Sequence, residues 1–416
     1  MGFLSSTSNN LTNKNVKNIF YFQFLQSFGR GIWGSTILSA YIYLLANNSN
    51  KILGYTSAAT GIAMTLVVFP SGYLSDKYRR DYLLKIASIC GTIALFFTGI
   101  ANNIEFILIG LIFWGLTQGI SRPSIESLLA DSIPSGNRSD VYSKLHLVRN
   151  VGMSVGPFFN VLIFLLIGDE WDLQKLRQVM LIGLLISFLS LLFLLFISDD
   201  NSLGNQSEAL DINEETKISL SEQFTLSKKS IPYILVTSNL LIGVGAGMTI
   251  KFFPIFFLDI YNLKPISVNL IMGVTTIFTG ITAIIAQKKS VSKGRAKMIF
   301  IVQSFATVSL FIIAFYPVIY ILIPLFILRG ALMNASQPLS RSILMDFIPK
   351  KNRGKWNSME AFAWGFFWNF SAALGGILIE NYDYRVNFII TGLIYTVGTL
   401  LILILIPLVQ SENYSN

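Results

Sequence analysis

Long apolar runs, each about the length of a membrane helix, alternate along this chain with short polar connections. A span needs about 20 apolar residues at 1.5 Å rise each. Twelve runs meet that need, at 18–46, 53–74, 82–101, 105–130, 147–167, 178–198, 231–258, 266–287, 297–315, 318–345, 356–379 and 386–409. The pattern predicts an all-α membrane protein with 12 transmembrane helices. Short connections make successive helices antiparallel neighbours. Residues 199–230 are the exception. That stretch is polar, opens acidic with Asp199, Asp200, Glu208, Asp211, Glu214 and Glu215, and closes basic with Lys228 and Lys229. It reads as a cytoplasmic linker between six spans in 1–198 and six in 231–416.

The two halves repeat. Asp131-Ser-Ile-Pro134-Ser-Gly-Asn137-Arg138 recurs as Asp346-Phe-Ile-Pro349-Lys-Lys-Asn352-Arg353, an offset of 346 − 131 = 215. Ser121 and Pro123 meet Ser336 and Pro338 at that same offset, and Gly29 and Gly31 meet Gly245 and Gly247 one residue further on. One offset holding from the first span to the fifth predicts a duplicated, pseudo-symmetric pair of six-helix bundles.

Composition sharpens the picture. Hydrophobic residues make up 53% of the 416 and charged residues only 13%, against roughly 25% charged in soluble proteins. A net charge of +9 then reads as loop asymmetry rather than as a nucleic-acid surface. Of 31 lysines and arginines, 21 fall in the N-terminal tail, the even-to-odd loops and the span ends beside them (Lys85, Arg149 and Lys297), five in the opposite loops and five deeper inside spans. The positive-inside rule puts both termini in the cytoplasm. The single cysteine, Cys90, excludes an intramolecular disulfide. The chain carries no phosphate-cradling glycine loop, metal cluster or nucleophile pattern, so neither an enzyme, a metal site nor a cofactor is expected.

Gly72-Tyr-Leu-Ser-Asp76-Lys-Tyr-Arg-Arg80 sits between the second and third spans. It resembles the Gly-x-Leu-x-Asp-Lys/Arg-x-Gly-Arg motif of the major facilitator superfamily, with Arg79 where the family has glycine. The second half carries a degraded echo of it around Ser290–Arg295. Gly152-Met-Ser-Val-Gly156-Pro157 in span 5 resembles the family's antiporter motif. The resemblance implies the major facilitator fold, with the substrate site between the bundles and spans 1, 4, 7 and 10 around a central cavity. It further implies a gating network of Asp76, Arg80 and Asp131. Trp114-Gly-Leu-Thr-Gln118-Gly119 lacks the arginine that the family usually carries before Gln-Gly in span 4; Arg122 follows one turn later.

Charges inside spans carry the functional reading, because a central arginine or lysine costs about 2.5–3.5 kcal/mol on insertion scales. There are five: Arg30, Arg122, Lys251, Arg329 and Arg341. Two acids, Glu126 and Glu360, leave an excess of 5 − 2 = 3 positive charges. Arg122 and Glu126 share a helix face and can pair. Repeat symmetry also permits a Glu126–Arg341 pair, and these residues with Glu360 read as gating or coupling groups. Arg30 lies among Gly29, Gly31 and Gly34, which leave room for a backbone or a ligand. Arg30, Lys251, Arg329, Arg122 and the polar Asn369 are the candidate substrate contacts.

A guanidinium fork suits phosphate or carboxylate. The expected cargo is a small, organic or phosphorylated anion, moved by exchange or with protons, by a monomer in a lipid bilayer. The alternative is a proton-coupled exporter of hydrophobic or cationic drugs that uses Glu126 or Glu360.

Overall fold

The computed structural model describes residues 13–133, 138–203, 230–348 and 353–410. Among these residues the regular elements are all helices. The first half holds α1 (Lys14–Trp33), α2 (Thr36–Leu45), α3 (Asn50–Lys77), α4 (Arg80–Ile100), α5 (Ile104–Asp131), α6 (Arg138–Ile167) and α7 (Leu173–Leu195). A short 3-10 turn, Asp199–Asn201, follows. The second half holds α8 (Ile231–Thr249), a 3-10 turn (Ile250–Phe252), α9 (Phe253–Tyr261), α10 (Pro265–Lys293), α11 (Arg295–Ala314), α12 (Ile319–Phe347), α13 (Arg353–Asn381) and α14 (Tyr384–Gln410).

Local chemistry sets the helix starts. Asn13, Asn103 and Asp172 each turn a side-chain oxygen to a backbone N–H of the first turn of α1, α5 and α7. Such caps satisfy donors that have no intrahelical partner. Ten spans, counting α8–α9 as one, are long and apolar enough to cross a membrane. The other two expected spans are the α1–α2 pair and α13.

Two expected spans are not continuous. Span 1 breaks at Gly34–Ser35, between α1 and α2. Span 7 breaks at Ile250–Phe252, and 250 − 34 = 216 places both breaks at the same point of the repeat. Broken helices are tolerated at membrane depth only where the freed backbone groups meet protein or water.

The chain divides into two compact units, Met1–Asn48 with Ala59–Ile218, and Ser49–Ala58 with Ser219–Asn416. In the first, α1 packs against α6 and α7, and α4 lies against α5 and α7. In the second, α8 packs against α13 and α14, and α11 lies against α12 and α14. The duplicated sequence therefore builds the same set of helix contacts twice.

Glycines permit the closest of these approaches. A Cβ on Gly31 would meet the Met153 carbonyl of α6 at 2.9 Å, and one on Gly29 would meet the Gly183 carbonyl of α7 at 2.8 Å. In the second unit a Cβ on Gly375 would stand 2.8 Å from the Met248 Cα. Small residues let backbones touch where helices pack in a membrane. This corrects the expectation that Gly29 and Gly31 leave space for a ligand, because neighbouring helices already fill it. The faces turned away from these contacts are apolar and exposed, with Leu66, Leu166 and Tyr320 among the most open.

Candidate transport site

In the first unit the charges meet on α1, α5 and α6. Arg30, on the last turn of α1, points its guanidinium over the Trp114 ring of α5 at 5.9 Å. Its Nε is buried without a hydrogen-bond acceptor. Among the described residues no ion pair involves Arg30. Arg122 and Arg149 both stand close enough to repel it. Arg122 is exposed and donates from Nη2 to Gln118 Oε1 at 2.9 Å. The expected ion pair with Glu126 is absent, because Gln118 sits one turn back on the same face and accepts the guanidinium first. Glu126 is exposed, and its backbone carbonyl accepts from Tyr142.

Arg149 did not stand out as an intramembrane charge, because it lies at the start of the apolar run. In the fold α6 begins nine residues earlier than that run, at Arg138, which carries Arg149 into the helix. Its Nη2 lies 3.1 Å from His146 Nδ1, and the Asn150 amide lies 2.9 Å from Nε2 of the same ring. The only histidine of the chain therefore faces a guanidinium. A helix beginning one turn or more before the apolar run was the signal that could have placed Arg149.

In the second unit the break in span 7 positions two cations. Lys251 lies on the 3-10 turn itself and donates to Ser57 Oγ at 2.6 Å and to Asn369 Oδ1 at 3.3 Å. Two sequence-derived candidates, Lys251 and Asn369, thus touch. Thr249, the last residue of α8, accepts from Arg329 Nη2 at 3.2 Å, and Tyr395 OH accepts from the same nitrogen at 2.9 Å. Arg329 is only 4% exposed. Its guanidinium lies 5.0 Å from the Phe253 ring and 5.7 Å from the Tyr395 ring. Burying an unpaired ion costs several kcal/mol even after relaxation. The two ring contacts offset about 2 kcal/mol each when desolvated, and the carbonyl end of α8 adds partial negative charge.

Arg341 is exposed. The side chains of Asp76 and Glu360 lie outside the described residues.

The charged hairpin forms a clamp. Arg80 Nη1 donates to Asp131 Oδ2 and, at 2.9 Å, to Ser127 Oγ, while its Nε reaches Asp199 Oδ1 at 2.9 Å. The second unit repeats this geometry. Arg295 Nη1 donates to Ser342 Oγ at 2.6 Å and pairs with Asp346 at 2.6 Å. All three residues stand at the 215 offset: 295 − 80, 342 − 127 and 346 − 131. The "degraded" echo thus keeps its ion pair and its hydroxyl. Gly294, the counterpart of Arg79, takes φ +86° between α10 and α11.

Asp199 and Asp200 were expected to open a linker. Instead they fold onto the first unit, Asp199 on Arg80 and Asp200 on Arg79 at 2.8 Å. Hydrogen bonds from Arg79 and Ser198 hold the Asp200 carboxyl below its usual range, and the bonds that Arg79 donates to Asp200 and Asp81 raise its guanidinium.

A sequence model described as the Major Facilitator Superfamily matches residues 19–319 and 235–416. The chain belongs to the major facilitator superfamily. Membership places it among multi-pass membrane transporters rather than enzymes. Similar solved folds cover nearly the whole chain. A bacterial homologue of the iron transporter ferroportin matches at TM-score 0.72 with 14% identity, over 94% of this chain and 98% of that one. A D-xylose-proton symporter matches at TM-score 0.72 with 16% identity, over 94% of this chain and 96% of that one.

Sequence relatives align over shorter stretches. A Na(+), Li(+), K(+)/H(+) antiporter of Planococcus maritimus is 24% identical over 170 residues, 40% of this chain and 35% of that protein. The quinolone resistance protein NorA of Staphylococcus aureus is 23% identical over 145 residues, 35% of this chain and 37% of that protein. The chain therefore matches only about a third of the length of each of these curated relatives.

Proposed function

We propose that this superfamily member is a secondary active transporter of a small organic anion, a carboxylate or phosphate ester. It works by alternating access, with residues 1–198 rocking against 231–416 and both termini in the cytoplasm. Arg30 and Lys251 bind the anion, and Asn369 orients it. The observation that carries this reading is Arg30: a half-buried guanidinium with an unsatisfied Nε, no ion pair among the described residues and two further arginines nearby. A cation so placed favours an anionic ligand, which would supply both the missing acceptor and the missing charge.

The test is uptake of labelled carboxylated and phosphorylated metabolites into proteoliposomes. Uptake is expected to fall at least tenfold with Arg30→Ala and with Lys251→Ala. That is the loss of one charge-assisted hydrogen bond of roughly 1.5–3 kcal/mol. Unchanged uptake in both variants contradicts the assignment.

A second reading rests on the relatives, one named a cation/proton antiporter and one a quinolone resistance protein. It makes the chain a proton-coupled exporter in which exposed Glu126 carries the proton. Glu126→Gln separates the two readings. It abolishes drug efflux under the second and spares anion uptake under the first.

A further inference from the structure

Arg329 is the one buried cation among the described residues. It is 4% exposed, its Nε has no acceptor, and its Nη2 is held by two neutral oxygens, those of Thr249 and Tyr395. Beside it lies a narrow cavity of about 20 Å³, enough for one water-sized occupant. Among the described residues none of those lining it is acidic. The walls include the amides of Gln303, Asn334 and Gln337. Their nitrogens donate to Ser336 Oγ, the Gly330 carbonyl and Asn334 Oδ1 respectively. Each amide nitrogen carries a second N–H. Gln303 Oε1 lacks a donor.

An arginine stays charged in a protein interior. The charge on Arg329 is met only by rings and neutral oxygens, and the described residues around the cavity bring no carboxylate. We propose that a halide ion, chloride in ordinary salt, binds beside Arg329 inside the second unit. Its size matches a one-occupant cavity, whereas a carboxylate or phosphate ester has several heavy atoms and does not fit. The ion completes the shell of Arg329, which also fixes Thr249 at the break in span 7. Chloride thereby holds the end of α8 to α12 and stiffens the hinge that carries Lys251. The site is separate from the Arg30 and Lys251 contacts and does not depend on the cargo assigned to them.

Thermal unfolding of the purified full chain tests this. Chloride and bromide are titrated against gluconate at fixed ionic strength. The midpoint is expected to rise with halide and saturate, by roughly 2 °C or more. Arg329→Met removes the rise. Ala246→Val, which narrows the cavity from the α8 side, weakens it, and gives the same information should the arginine variant fail to fold. A wild-type midpoint indifferent to halide overturns the proposal, as does a halide response that survives both substitutions. Arg30→Ala must lose anion uptake yet keep the halide response, so failure of the cargo reading and failure of the halide site give different results.

Discussion

At the level of single residues, what each cation within an apolar run touches decides what it can do. Sequence marks Arg30, Arg122, Lys251 and Arg329 as charges inside apolar runs, because such runs make any charge conspicuous. It does not say which partner wins. Arg122 has both Gln118 and Glu126 one turn away and takes the amide. Lys251 and Asn369 are 118 positions apart and meet only through the packing of α8 and α13. Arg329 finds its ring partners on α9 and α14. Tyr395→Phe removes one of the two acceptors that hold Arg329 Nη2. It should lower stability by about 1–3 kcal/mol, the usual cost of an unsatisfied buried donor. Chemical denaturation in detergent reads that loss.

At the element scale the repeat makes paired predictions. The Arg80 clamp holds two carboxylates with side chains 31% and 15% exposed, and the Arg295 clamp holds one at 50%. Exposed pairs contribute about 0–1 kcal/mol. Arg80→Ala should therefore lower the unfolding midpoint clearly more than Arg295→Ala, and equal losses would contradict the ranking. Gly294 sits at φ +86°. Gly294→Ala should cost about 1–3 kcal/mol in backbone strain, measurable by the same unfolding assay. Arg79→Gly at the equivalent position lacks that strain term. Instead it releases Asp200, whose depressed carboxyl stabilises the fold above its unfolded value and loses that contribution as pH falls through the folded one.

The helices themselves were readable because apolar length alone decides them. The breaks at Gly34–Ser35 and Ile250–Phe252 were not, because hydropathy runs unbroken through both. A proline two residues past the second break, Pro254, was the available hint.

At the scale of the whole molecule, the fold followed from repetition. A single offset in the sequence becomes the same helix contacts and the same Arg–Ser–Asp clamp in each unit. The docking of Asp199 and Asp200 was hidden, because an acidic stretch reads as solvated until its arginine partners are placed in space. Orientation is open to direct measurement, since Cys90 is the only cysteine. In a Cys90→Ser background, a cysteine at Lys289 should react with an impermeant thiol reagent only from the cytoplasmic side. One at Asn48 should react only from outside. The reverse pattern contradicts the loop-charge argument.

The central claim is that Arg30 and Lys251 make this a carrier of anions. The most direct test is proteoliposome uptake of a panel of organic anions and cations by the wild-type chain and by Arg30→Ala. The account predicts saturable uptake confined to anions and reduced at least tenfold by the substitution. Uptake of cations alone, or anion uptake indifferent to Arg30, would contradict it.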